Sequence, residues 1–140
     1  MKRSRELTVC GMLTALAIIL SIVERAFPLD AIIPIPGVKL GLANVVTLFA
    51  LTRLGLRDSL AVVVCRVTLA SLLMGSVTAF LFSLFGGLLA LFVMWALLHA
   101  EGRFCSLLGV SVAGAAAHNI GQICAAVLWM KTAAVLTYLP

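Results

Sequence analysis

The sequence predicts an all-α integral membrane protein, and three observations carry that prediction. Hydrophobic residues make up 64% of the 140 and charged residues only 11%, against about 25% charged in an ordinary water-soluble domain. Apolar stretches of near-spanning length recur along the whole chain, and most basic residues collect at their ends. A chain this apolar cannot cover itself with polar surface, so its solvent is lipid. The net charge of +5 reflects membrane topology, because the basic residues are scattered rather than gathered into a nucleic-acid-binding patch.

A spanning helix needs about 20 apolar residues, with about 17 to 25 tolerated. Five stretches qualify or nearly do, at 7–23, 38–54, 60–75, 79–98 and 107–130. Together they form a single membrane domain over 1–140. The first follows the basic start MKRSRE, as a signal peptide would. Its apolar run of 17 residues is long for that role and leads into Glu24 and Arg25 rather than a small-residue cleavage site, so it reads as a retained helix. The second follows a proline-bearing connection, 24–37, whose apolar "AIIPIP" is expected to dip into the interface and act as a lid. RLGLRD, MGSVT and HAEGRF separate the remaining spans. The tail "TAAVLTYLP" begins another apolar run, and a sixth helix is expected to complete the bundle.

Orientation follows from the basic residues. A cytoplasmic N-terminus puts Lys2, Arg3, Arg5, Arg53, Arg57 and Arg103 inside, and Arg25, Lys39 and Lys131 outside, with Arg66 within a span. Six against three favours that topology in a cell membrane.

Polar side chains inside spans are rare and face a protein interior or a watery cavity. There are three groups of them. The second span brings Lys39, Asn44 and Thr47, and on a continuous helix Gly37, Gly41 and Asn44 would share one small-and-polar face. Arg66 lies six residues into the third span, and all five acids (Glu6, Glu24, Asp30, Asp58, Glu101) lie near segment ends. An arginine with no acid in its own span can clamp backbone carbonyls, snorkel, or receive an anion from outside the chain. In the fifth span Gly114, His118 and Gln122 are spaced at i, i+4 and i+8, with Asn119 beside them. Gly109, Ala113, Ala117 and Gly121 form a strip of small residues that lets another helix approach. Lys39, Asn44, Arg66, His118, Asn119 and Gln122 are therefore the candidate ligand-binding residues, lining an electropositive cavity.

Local catalytic motifs are missing from the sequence. It holds no GxxxxGK[ST] loop, no aspartate-rich segment for magnesium and a diphosphate, and no nucleophile motif. Cys10, Cys65, Cys105 and Cys124 form no CxxC pair, and they read as small apolar fillers. No metal ligands, cofactor or catalytic residues are expected.

"PGVKLGLANVVTLFAL", "SLFGGLLALFVM" and "GVSVAGAAAHNIGQ" resemble the family labelled heptaprenyl diphosphate synthase component I, also called the Gx transporter family. The resemblance covers nearly the whole chain. The family looks like the six-helix substrate-binding (S) components of energy-coupling factor transporters. That resemblance implies a small-molecule substrate, and a coupling membrane subunit with ATPase subunits supplied in trans. It also implies docking of the coupling subunit by small residues of the first helix, here Gly11 with Ala15 and Ala17 with Ser21. The synthase label implies instead a non-catalytic subunit of polyprenyl diphosphate synthesis, and a membrane scaffold is a further alternative. The chain departs from the family pattern at its end, where one more helix usually follows the Tyr-Leu-Pro region.

Overall fold

The computed structural model describes residues 2–27, 41–74, 77–100 and 106–131. Five helices make it up: α1 (Lys2–Ala26), α2 (Leu42–Leu54), α3 (Leu56–Met74), α4 (Val77–His99) and α5 (Leu107–Met130). The expected lid, with Gly37 and Lys39, lies outside the described residues, as does the tail expected to begin a sixth helix.

Each predicted span contains a helix, but the boundaries move for local reasons. α2 and α3 are separated by Gly55 alone, at φ 90° and ψ −179°. This is a conformation that a side chain would oppose. α3 therefore starts at Leu56 rather than at residue 60, taking in the charged pair Arg57–Asp58. Asp58 in the first turn suits the positive end of the helix dipole. The Ser59 hydroxyl donates to the Gly55 carbonyl at 2.7 Å. α5 begins where Ser106 Oγ accepts from Gly109 N at 3.2 Å, an N-cap that satisfies one orphan amide.

At its other end α2 corrects the sequence reading. Gly41 was expected inside a helix, in register with Gly37 and Asn44. It instead sits before the first turn with φ 71° and ψ 29°. The glycine spacing is compatible with a helix face, yet left-handed backbone at Gly41 ends the helix there. The described α2 thus has 13 residues, about 20 Å by helical rise, against a hydrocarbon core of about 30 Å.

This short helix is the hub. α2 touches each of the other four, α4 packs on α2, α3 and α5, and α1 packs only on α2 and α3 among the described residues. One apolar core joins α2 to α5 through Leu48, Leu51, Val63, Val67, Ala90, Leu91, Met94 and Val110. A second joins α1 to α2 and α3 through Leu13, Ala17, Val46, Ala50 and Val62. The outer surface is apolar too, with Leu7, Met12, Ile19, Leu72, Leu73, Leu108, Val112 and Leu128 all exposed. Such a surface suits lipid. α1, α4 and α5 are long and apolar enough to cross a bilayer.

Most buried hydroxyls are disposed of within their own helices. Thr14 donates to Cys10 O, Ser21 to Ala17 O and Thr47 to Ala43 O, at 2.8, 2.8 and 3.1 Å. Back-bonding of this kind leaves no exposed donor for lipid to penalise. Thr47 is therefore satisfied without a cavity.

The largest helix–helix interface, α4 with α5, depends on glycine. A Cβ placed at Gly121 would lie 2.8 Å from Gly86 Cα and 2.9 Å from the Phe85 carbonyl oxygen. One placed at Gly114 would lie 2.6 Å from Met94 Sδ. The predicted small-residue strip of α5 thus receives α4. Gly121→Ala is expected to lower stability by about 1–3 kcal/mol, because backbone rather than a flexible side chain must move. Gly11 has nothing within 4 Å of an added Cβ, so Gly11→Ala should be neutral or stabilising by up to about 1 kcal/mol. Unfolding in detergent, with both variants side by side, measures the contrast. Gly41→Ala should cost about 1–2 kcal/mol for the left-handed backbone, with a further contribution from the Ala115 Cβ only 3.0 Å away.

Candidate functional site

α3 carries Arg66 ten residues beyond its first residue, in the middle of a 19-residue helix. The residue is 5% exposed. Its neighbours Val63 and Val67 are core residues, so the helix turns the guanidinium inward rather than toward either membrane surface. The Nε and Nη2 groups are buried and make no hydrogen bond among the described residues. A charged group so placed costs about 2.5–3.5 kcal/mol by insertion scales unless something compensates it.

Space for the guanidinium comes from α4. A Cβ on Gly87 would stand 3.5 Å from Arg66 Nη2 and 3.0 Å from Val63 Cγ1. Gly86, one residue earlier and turned by about 100°, meets α5 instead. Its Cβ would fall 2.7 Å from the His118 carbonyl oxygen, 2.9 Å from Gln122 Cγ and 3.1 Å from His118 Nδ1. Two adjacent glycines therefore bring α3 and α5 against adjoining faces of α4 at one level. Arg66, His118 and Gln122 share that level.

The remaining polar groups approach from α1 and α2. Glu24, near the end of α1, accepts from Gly41 N at 2.6 Å through Oε1. Gly41 lies against Ala115 of α5 and close to Asn44 Nδ2, and Asn44 is buried. The sequence had suggested an arginine remote from every acid. Among the described residues no acid meets its Nε or Nη2, and Glu24 holds the Gly41 amide instead.

Of the six candidate residues, the structure gathers Arg66, His118 and Gln122 around Gly86–Gly87, with Asn44 beside Gly41, which lies against Ala115 of α5. Asn119 is half-buried on α5, turned by about 100° from His118. Lys39 lies outside the described residues. Sequence reasoning missed the Gly86–Gly87 pair as a site element, although a glycine doublet inside an apolar helix is a visible signal for close approach. It also missed Glu24, which no local spacing relates to Gly41. Among the described residues no group of three metal-ligating side chains occurs.

The four small residues expected to dock a partner divide between two faces of α1. Gly11 and Ala15 are exposed. Ala17 is fully buried in the α1–α2–α3 core, and Ser21 is half-buried and bonded to it. The outward pair alone is accessible to another protein.

Comparison with known proteins gives one positive result. No curated protein and no solved structure matches the chain. A family model described as heptaprenyl diphosphate synthase component I matches residues 13–140, a span that includes α2 to α5, the second half of α1 and all six candidate ligand-binding residues. The chain belongs to the heptaprenyl diphosphate synthase component I family.

Proposed function

We propose that this protein is the membrane-embedded capture subunit of an uptake system of the energy-coupling-factor type, binding a small anionic vitamin or cofactor precursor. The observation that carries this reading is the buried Arg66, two of whose donors have no partner among the described residues. A bound carboxylate or phosphate would offset the cost of that charge through charge-assisted hydrogen bonds. His118 and Gln122 across the glycine doublet, with Asn44, Asn119 and Lys39, would recognise the rest of the ligand, and the apolar walls would hold its body. The N-terminus faces the cytoplasm in this scheme, in the cell membrane.

Energy must come from elsewhere, since the sequence has no phosphate-binding loop. A family described as component I implies a second subunit. In our reading the partners are a coupling membrane protein and ATPases, docked at Gly11 and Ala15. The family description itself favours a second reading, a non-catalytic membrane subunit of heptaprenyl diphosphate synthase. Arg66 would then face a prenyl diphosphate head group.

Small molecules retained by the purified protein, analysed by mass spectrometry, test the shared claim. An anionic amphiphile should be present in wild type and lost from Arg66→Met, whose thermal stability should match or exceed that of wild type. Arg66→Lys keeps the charge but loses the planar fork, so retention should fall at least about tenfold. An Arg66→Met protein that unfolds, with ligand still bound in what survives, would make Arg66 a structural clamp.

Affinity purification separates the two systems. ATPases and a membrane coupling protein are expected with the wild type, and Ala15→Trp should release them without loosening the bundle. Recovery of a soluble prenyl transferase instead would favour the synthase reading.

A further inference from the structure

Arginines gather at one end of the bundle, away from the middle where Arg66 lies. Glu24 Oε1 on Gly41 N ties the end of α1 to the start of α2, and Val9 and Cys10 pack on the same core as Leu54. The two helices therefore run antiparallel, and the start of α1 lies beside the end of α2 and the start of α3. Arg3 and Arg5 precede Val9 and Cys10 by four to seven residues, which carries them about 6 to 11 Å past the level of Leu54 by helical rise. Arg53 lies in the last turn of α2 and Arg57 in the first turn of α3, on either side of the Gly55 corner. Arg3, Arg5, Arg53 and Arg57 are all exposed. Glu6 and Asp58 are the acids of this end, so positive charge remains in surplus.

The surface beside the corner is built for a molecule that is apolar along its body and anionic at its tip. Val45, Phe49 and Arg53 are spaced at i, i+4 and i+8 and are all exposed, so they form one outward stripe of α2. The stripe is apolar until its last member. Arg53 Cζ lies 5.8 Å from the centroid of the Phe49 ring, an arrangement that keeps the guanidinium at the boundary between apolar and polar surroundings. The corner itself is open, since a Cβ added at Gly55 would meet nothing within 4 Å.

We propose that this corner binds the head group of an anionic phospholipid. Arg53 and Arg57 hold its phosphate, Arg3 and Arg5 stand alongside, and an acyl chain runs along Phe49 and Val45. Membrane topology asks only for positive charge, which lysine supplies as well. Arginine adds a planar fork whose paired N–H bonds match two phosphate oxygens. The site involves none of the residues around Gly86–Gly87 and stands whether or not Arg66 receives a ligand.

Protein purified in detergent would be titrated with dioleoyl phosphatidylglycerol and with dioleoyl phosphatidylcholine, and bound lipid counted by native mass spectrometry. Wild type should hold phosphatidylglycerol at least about tenfold more tightly than phosphatidylcholine. Arg53→Gln with Arg57→Gln should bring the two lipids level. Arg53→Lys with Arg57→Lys keeps the charge that sets topology but loses the fork, so the preference should fall at least about threefold. Lys131→Gln, which removes an exposed cation at the end of α5, should change nothing. Should the Gln pair insert wrongly, the Lys pair decides. A wild type that does not prefer phosphatidylglycerol overturns the proposal and leaves the corner to an acidic protein surface. A Lys pair that binds as wild type does reduces the corner to diffuse charge and overturns it too, as does an equal loss in Lys131→Gln.

Discussion

The arrangement depends on how closely α4 approaches α5. In lipid no hydrophobic force drives one apolar helix toward another, so association relies on surface fit and short-range contact. Gly86 and Gly121 remove the side chains that would keep the two backbones apart, and the contact they allow sets the level at which His118 and Gln122 meet α4. Gly87, on the adjoining face, lets α3 bring Arg66 to the same level. One doublet thus determines where three polar side chains from two helices come together.

Burial around that point shapes the electrostatics. Val63, Val67 and Leu91 exclude solvent from the middle of the bundle, where charges interact more strongly than in water. Hydroxyls such as Thr47 are removed from the problem by bonding within their own helices. What is left is the guanidinium, the amide and imidazole groups of α2 and α5, and a carboxylate supplied by the end of α1. The family description fits a protein with a partner, and Gly11 and Ala15 are exposed on α1.

Fold class and the five helices of the described residues were legible because both follow from the length and spacing of apolar runs, which lipid imposes directly. Arg66, His118 and Gln122 were legible for the complementary reason that a polar residue in an apolar run stands out. Helix limits were less so: Arg57 and Asp58 look like a loop in sequence, yet an acid in a first turn after a one-residue glycine break is favourable. Gly41 has helical spacing to Asn44, but spacing carries no information about the sign of φ. Glu24 reaches Gly41 through the packing of α1 against α2, information that no window of sequence contains. Ala17 and Ser21 share their four-residue spacing with Gly11 and Ala15, and only the tertiary contacts tell the inward pair from the outward one.

The shortness of α2 bears on how the protein is made. A ribosome delivers α2 to the membrane before α4 and α5 have been synthesised. At that moment it is a helix of about 20 Å, shorter than the oily layer, with Asn44 and no neighbours on the faces that α4 and α5 later cover. An independent span of that length and polarity is poorly held by lipid. Its final seat is complete only once α4 and α5 have arrived to pack on it. The placing of α2 in this chain is therefore settled together with that of α4 and α5.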